Sequence, residues 1–203
     1  MIVGVAEAAA LLRRGGVVAY PTETFYGLGA LALRPDALAR LVGAKGRPGD
    51  KPLPLIAADV AQVSAVASLD DPAALALAAR FWPGPLTLVL PATAHLDAAI
   101  TGGGGTVGIR VPGAAMAREL ARLSGGPLVS TSANLSGERP VTSAAALSPD
   151  LVARIDGVVD GGPTPGGLPS TVVAVAGGTI RLVRDGAVAW PDIEAAVADL
   201  QSD

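Results

Sequence analysis

Glycine and proline interrupt this chain so often that it can only be assembled from short elements: 26 Gly and 17 Pro are spread over 203 residues. Between these breaks, helical and strand-like stretches alternate at short intervals. That pattern belongs to an α/β layer fold rather than a bundle or a sandwich. The spacing predicts helices over 6–14 (closed by Gly15-Gly16), from Asp36 to Val42, over 72–81 behind an Asp71-Pro72 start, over 114–123, over 148–155, and from Asp192 onward. It predicts strands over 17–20, 53–57, 86–90, 107–111, 128–130 and near Val158, with a hairpin whose arms are 171–175 and 179–183. Several connections are too short for helical crossovers, so the sheet is expected to be mixed. No linker, repeat or heptad divides the chain, and residues 1–203 are expected to form a single domain.

The same punctuation disposes of a membrane span. The longest uncharged stretch, 161–180, holds Pro163, Pro165, Pro169 and six glycines, so it reads as a loop followed by a strand despite a positive mean hydropathy of +0.49. Met1-Ile2-Val3-Gly4 lacks a basic leader and Glu7 breaks the apolar run, which leads to an expected cytoplasmic location. With half the residues hydrophobic but only six aromatic, the core should consist of Ala, Val and Leu.

Some chemistries are excluded outright. There is no Cys, so disulfides, thiolate zinc sites and cysteine nucleophiles are absent, and the lone His95 rules out multi-histidine metal centres. A net charge of −3 and a pI near 5.1 argue against a protein held on nucleic acid by a broadly basic surface. The basic residues are unevenly spread in kind: thirteen are Arg and two are Lys, and both Lys fall in Lys45-Gly46-Arg47-Pro48-Gly49-Asp50-Lys51. An ammonium is a compact charge on a flexible stem and a guanidinium a planar fork, so the two are not interchangeable against a phosphate. Taken alone, the loop is better explained by solvated side chains.

Three segments could carry chemistry. Pro21-Thr22-Glu23-Thr24-Phe25-Tyr26-Gly27-Leu28-Gly29 crowds two hydroxyls, a carboxylate and two aromatics at a strand end, where open α/β sheets place their ligand crevices. A well-capped turn with aromatic core residues accounts for it about as well. The Lys45–Lys51 loop offers three cations but no Walker A pattern, so any triphosphate would have to be held by side-chain cations and local amides. Ser130-Thr131-Ser132-Ala133-Asn134-Leu135-Ser136-Gly137 brings four hydroxyls and an amide to another strand end. It could form an anion-binding nest or bind a base or sugar. Such clusters are more often helix caps, but Gly137 and Pro140 leave little room for a helix after it. Arg110 before Pro112 could clamp a carboxylate or make a surface ion pair, Ser170-Thr171 precedes the hairpin, and Arg184 follows it at an Asp185-Gly186 turn. The 102–105 glycine run has no Rossmann spacing, and no nucleophile elbow supports a triad on His95.

In this order the segments resemble the YrdC family of L-threonylcarbamoyladenylate synthases. The match runs from about residue 6 to 190, through Pro21-Thr22-Glu23-Thr24 with Tyr26-Gly27-Leu28-Gly29, Lys45-Gly46-Arg47-Pro48, Pro83-Gly84-Pro85-Leu86-Thr87, Gly108-Ile109-Arg110-Val111-Pro112, the 130–137 segment, and Pro169-Ser170-Thr171-Val172. Each piece is weak and the ordered set is specific. The resemblance implies an open twisted mixed α/β sheet with flanking helices around a deep concave cleft. It implies a nucleotidyltransferase that joins L-threonine, bicarbonate and ATP into threonylcarbamoyl-AMP with release of pyrophosphate, feeding the tRNA machinery that modifies adenosine 37.

Carried over residue by residue, it makes Thr24, Arg110, Ser130 and Ser170 the threonine-contacting positions and Arg47, Lys51, Thr106, Ser132, Asn134 and Arg184 the nucleotide-facing set. Lys45 and Arg47 match the family's Lys-x-Arg pair and are the expected catalytic cations, with Mg²⁺ arriving on ATP and no protein metal ligand assigned. The chain departs from the family where a Ser commonly follows the Ser-Gly of the third segment. Here Arg139-Pro140-Val141-Thr142 stands instead, which puts one nucleotide contact in question. The chain reads as the short form of the family. Two other readings are a YciO-type paralogue with a different acceptor and a non-catalytic module that binds RNA weakly. A hydrogenase-maturation carbamoyltransferase would need acylphosphatase and zinc-finger segments that this sequence lacks.

Overall fold

A computed structural model describes residues 1–46, 52–93 and 96–201. In chain order the elements are α1 (Val5–Arg13), β1 (Val18–Pro21), β2 (Tyr26–Gly29), α2 (Pro35–Lys45), β3 (Leu55–Ile56), α3 (Val60–Ser64), α4 (Pro72–Phe81), β4 (Leu86–Pro91), α5 (Ala98–Thr101), β5 (Thr106–Arg110), α6 (Ala115–Ser124), β6 (Leu128–Val129), β7 (Thr131–Ser132), α7 (Pro149–Val152), β8 (Gly157–Val158), β9 (Thr171–Ala176), β10 (Thr179–Arg184) and α8 (Trp190–Val197). The strands form two open mixed sheets, one in the order β7-β2-β1-β8 and one in the order β10-β9-β4-β5-β3-β6. In the larger sheet antiparallel and parallel neighbours alternate, since β9 and β4 pair in parallel, β4 and β5 antiparallel, and β5 and β3 in parallel.

The local chemistry explains most boundaries. Asp71 accepts a hydrogen bond from Ala73 N at 2.9 Å and Pro72 occupies the first turn of α4, the cap and N1 arrangement that the sequence predicts. Glycines in the left-handed region stop α2 at Gly46 (φ 62°) and α6 at Gly125 (φ 82°). Asp36 behaves differently from the prediction: α2 begins at Pro35 with Arg34 as its N-cap, and Asp36 sits in the first turn bonded to Arg34. The predicted 148–155 helix shrinks to α7. Its continuation is forbidden because Asp156 is tied to β1, its N–H donating to Val17 O at 2.8 Å and its carboxylate accepting from Val17 N at 2.7 Å. The short helices α3 and α5 and the strand β2 were not foreseen.

The core is built from small apolar residues, as the composition requires. One cluster lies between the sheets and α2, α4 and α8, around Leu28, Leu41, Leu77, Leu88 and Ile109. A second holds α1 against α6 through Ala8, Ala9, Leu12, Ala117 and Leu120, over Val18 and Tyr20 of β1. Fully burying each such Leu contributes about 1.5–3 kcal/mol.

Two close approaches shape the site. Residue 29 must be glycine, because a Cβ there would lie 2.6 Å from Cε1 of Tyr20 and 3.0 Å from Val129 O. The predicted 128–130 strand is split in two: β6 pairs with β3 in the large sheet, whereas β7 pairs with β2 in the small one. The chain changes sheets at Ser130, whose N–H donates to Pro54 O at 2.8 Å.

Candidate functional site

That crossing opens a cleft of about 860 Å³ walled by both sheets. Thr22, Thr24, Ser130 and Ser132 come from the small-sheet side, and Thr87, Thr106, Arg110, Ser170, Arg181 and Arg184 from the large sheet and its margins. Seven of the residues singled out in the sequence therefore face one space: Thr24, Thr106, Arg110, Ser130, Ser132, Ser170 and Arg184.

Arg110 ends β5 with its side chain only 8% exposed, and its Nε donates to Oε1 of Glu23 at 3.0 Å. Glu23 belongs to the 22–25 turn, which is closed by the Thr22 hydroxyl donating to Phe25 O at 2.7 Å and by Thr24 N donating to Thr22 Oγ1 at 3.2 Å. Thr24 Oγ1 also shares a hydrogen bond with Thr22 Oγ1 at 3.3 Å. Beneath this turn Tyr20 is fully buried. Its hydroxyl has no hydrogen-bond partner within bonding geometry, and burial pushes its pKa up to about 12, opposed in part by the nearby Ser130 hydroxyl and the Arg110 charge.

On the opposite margin, Ser170 Oγ shares a 2.9 Å hydrogen bond with Thr87 Oγ1 and accepts one from Arg184 Nη2 at 3.1 Å. Arg184 also donates to the Ser170 carbonyl, from Nη2 at 2.7 Å and from Nε at 3.3 Å. Arg184 is exposed as a residue, but partial desolvation of its guanidinium against Ser170 lowers its pKa, and the positive charge of Arg110 lowers it further. The following Asp185-Gly186 turn is more than a generic reversal. A Cβ on residue 186 would come within 2.4 Å of Pro169 O and Thr171 N, so glycine is what allows the chain to lie against Ser170.

Lys45 and Asn134 lie behind the cleft wall and are not among its lining residues. Lys45, the last residue of α2, is buried, and its ammonium donates to the Ser132 carbonyl, to Ser132 Oγ at 3.3 Å and to the Asn134 carbonyl at 3.2 Å. Its charge therefore organises the 132–134 loop from below. Asn134 turns its amide nitrogen to Leu135 O at 2.7 Å and Glu138 O at 2.9 Å, leaving Oδ1 buried without a partner. Arg47, Lys51 and His95 lie outside the described residues.

The sequence did not single out Thr87 and Arg181 as site residues, and it named Glu23 only as part of a crowded turn. Thr87 had a signal, since it closes the Pro83-Gly84-Pro85-Leu86-Thr87 segment. Arg181 had none beyond its place on a hairpin arm. Among the described residues no group of three or more His, Cys, Asp or Glu could hold a metal ion, and no helix is long and apolar enough to cross a membrane.

A cleft that sets hydroxyls beside guanidinium groups, with no carboxylate among the described residues of its lining, is suited to holding anionic substrates. Comparison with known proteins agrees with the sequence resemblance. The Sua5_yciO_yrdC family model, described as telomere recombination, matches residues 10–186. Threonylcarbamoyl-AMP synthase of Bacillus subtilis (strain 168) is 45% identical over 200 residues, which are 98% of this chain and 58% of that protein. The crystal structure of Pyrococcus abyssi Sua5 complexed with L-threonine superposes with a TM-score of 0.90 at 42% identity, covering 95% of this chain and 56% of that one. Escherichia coli YciO superposes with a TM-score of 0.80 at 27% identity, covering 91% and 90% of the two chains. The chain thus spans little more than half the length of the Bacillus and Pyrococcus proteins, and the matched region includes both cleft margins up to Arg184. By its sequence over 10–186 and by its two-sheet cleft, this chain belongs to the Sua5/YciO/YrdC family.

Proposed function

We propose that this chain is an L-threonylcarbamoyladenylate synthase, a nucleotidyltransferase that uses L-threonine, bicarbonate and ATP. One observation carries the reading: Thr24, Arg110, Ser130 and Ser170 face the same cleft as Thr106, Ser132 and Arg184, so an amino-acid site and a nucleotide site would adjoin. The 45% identity to a protein named threonylcarbamoyl-AMP synthase, and the L-threonine complex of the Pyrococcus relative, support it over a YciO-type acceptor, as YciO is only 27% identical.

The chemistry needs no protein nucleophile. Threonine nitrogen attacks CO₂ derived from bicarbonate, forms the C–N bond and loses a proton to give a carbamate. A carbamate oxygen then attacks the α-phosphorus of ATP, a P–O bond forms, and the α–β bridging P–O bond breaks to release pyrophosphate. Two anions must be brought together, so positioning and charge neutralisation supply most of the rate enhancement. The outer Nη edge of Arg110 would take the threonine carboxylate, with the hydroxyls of Thr24, Ser130 and Ser170 around the amino acid. Arg184 and Ser132 would face the phosphates, with Arg47, Lys51 and Thr106 completing the nucleotide contacts. Lys45 would hold the 132–134 loop in shape beneath them. Among the described residues the cleft lining contains hydroxyls and guanidinium groups and no carboxylate, so Mg²⁺ would be carried by the nucleotide and neutralise part of its charge. The labile product would pass to a tRNA-modifying partner in the cytoplasm.

Purified protein given ATP, Mg²⁺, bicarbonate and L-threonine should release pyrophosphate, and omitting threonine or bicarbonate should abolish that release. Release that does not depend on threonine would overturn the reading. A scan of other amino acids separates this reading from a paralogue with a different acceptor.

A further inference from the structure

We infer that Glu23 is a positioning residue for the threonine site, acting through Arg110. This rests on the function proposed above. The pair joins the two halves of the molecule: Glu23 follows β1 of the small sheet, Arg110 ends β5 of the large sheet, and they are 87 residues apart in sequence. Both side chains are largely buried, 15% exposed for Glu23 and 8% for Arg110. A buried guanidinium without a counter-charge is costly, and a carboxylate that engages only Nε offsets that cost while fixing the rotation of the planar group.

Only Nε is used; no described residue accepts from Nη1 or Nη2 of Arg110, and the residue lines the cleft. The Nη edge is therefore presented to a ligand in one orientation, as bidentate recognition of a carboxylate requires. Glu23 is itself held: its Oε2 lies 3.5 Å from Ala114 N at the start of α6. Thr22 and Thr24 line the cleft and Glu23 between them does not, so its carboxylate is turned to the guanidinium of Arg110. Since the pair is electrically neutral, Arg110 would read the shape of a carboxylate more than it would draw in negative charge.

The test is Glu23→Gln, which keeps the size of the side chain and removes its charge. The KM for L-threonine should rise about tenfold or more, with kcat and the KM for ATP nearly unchanged, as expected when the orientation of one substrate's anchor is lost. Glu23→Asp keeps the charge but shortens the reach, and should recover part of the loss. An unchanged or lower threonine KM in Glu23→Gln would overturn the inference. So would equal loss in all three parameters together with a lower melting temperature, because that is the signature of a purely structural role. A substrate-free readout separates this inference from the function itself. The Arg110 Nε–H resonance, assigned by its disappearance in Arg110→Lys, should be protected from exchange in the wild type and unprotected in Glu23→Gln. Retained protection in the variant overturns the inference whether or not the protein turns over threonine. Absent threonine-dependent turnover with protection lost in the variant would support the restraint and sink only the proposed reaction.

Discussion

The two arginines that flank the cleft are held in opposite ways. Arg110 is buried and fastened to a carboxylate, whereas Arg184 is exposed at the end of β10 and rests on the neutral oxygens of Ser170. Among the described residues neither Arg184 nor Arg181 has a carboxylate within salt-bridge distance. A charge pair in a low-dielectric setting acts as a fixture, while hydrogen bonds to a carbonyl and a hydroxyl form a tether that a stronger anion can displace. The cleft thus has one rigid guanidinium whose charge is already balanced and another whose charge is available. On the proposed reading this suits the substrates, since a small amino-acid carboxylate needs geometry and a triphosphate needs net positive charge.

The sharpest way to break this contrast is to remove each arginine in turn. Arg110→Ala leaves Glu23 buried and unpaired, which should cost about 3–5 kcal/mol of stability and lower kcat/KM for threonine by about a hundredfold or more. Thermal melts and steady-state kinetics measure the two effects. Arg184→Ala strands no buried charge. It removes hydrogen bonds to neutral groups, so stability should fall by only about 0.5–1.5 kcal/mol while the KM for ATP rises about tenfold. If both variants lost stability equally, or if Arg184→Ala raised the threonine KM and left that for ATP alone, the assignment of fixture and tether would be wrong.

The same contrast marks where the sequence was legible. Features set by neighbours in the chain could be read directly: the Asp71-Pro72 start of α4, the glycine stops of α2 and α6, and the hairpin of β9 and β10, observed within a residue of the predicted arms at each end. Features set by distant partners could not. The apolar run at 128–130 signals extended backbone but carries no sign that β6 and β7 join different sheets, yet that switch places Ser130 in the cleft. The segment 21–29 reads as a capped turn with aromatic core residues, yet its second half is the strand β2. Gly29 is required there by the Tyr20 ring packed against it, a partner across the sheet that local pattern does not show. The motif resemblance singles out Lys45, but only the fold shows its ammonium turned to loop carbonyls, and the bond between Glu23 and Arg110 spans too much sequence for local pattern to reveal.

Tyr20 supplies the smallest effect and a check on how far the charged fixture extends. Its hydroxyl is buried close to Ser130 and Arg110 but makes no hydrogen bond, so Tyr20→Phe removes a polar group that has no partner to lose. Near pH 7 the variant should be as stable as the wild type or slightly more so, because an unsatisfied buried hydroxyl is a net cost. At alkaline pH the two should part. The folded protein holds the phenol proton to a pKa of about 12, while the unfolded chain releases it near the ordinary value of 10.0. Deprotonation therefore favours the unfolded state as pH rises from 10 towards 12, and the wild type should lose about 2 kcal/mol across that window. The phenylalanine variant lacks this titration, so its chemical-denaturation midpoint should fall less between pH 9 and pH 11. Parallel pH curves for the two proteins would mean that the hydroxyl is solvated or paired in solution. The apolar floor beneath Arg110 would then be wetter than its burial implies, and the Glu23 pair correspondingly weaker.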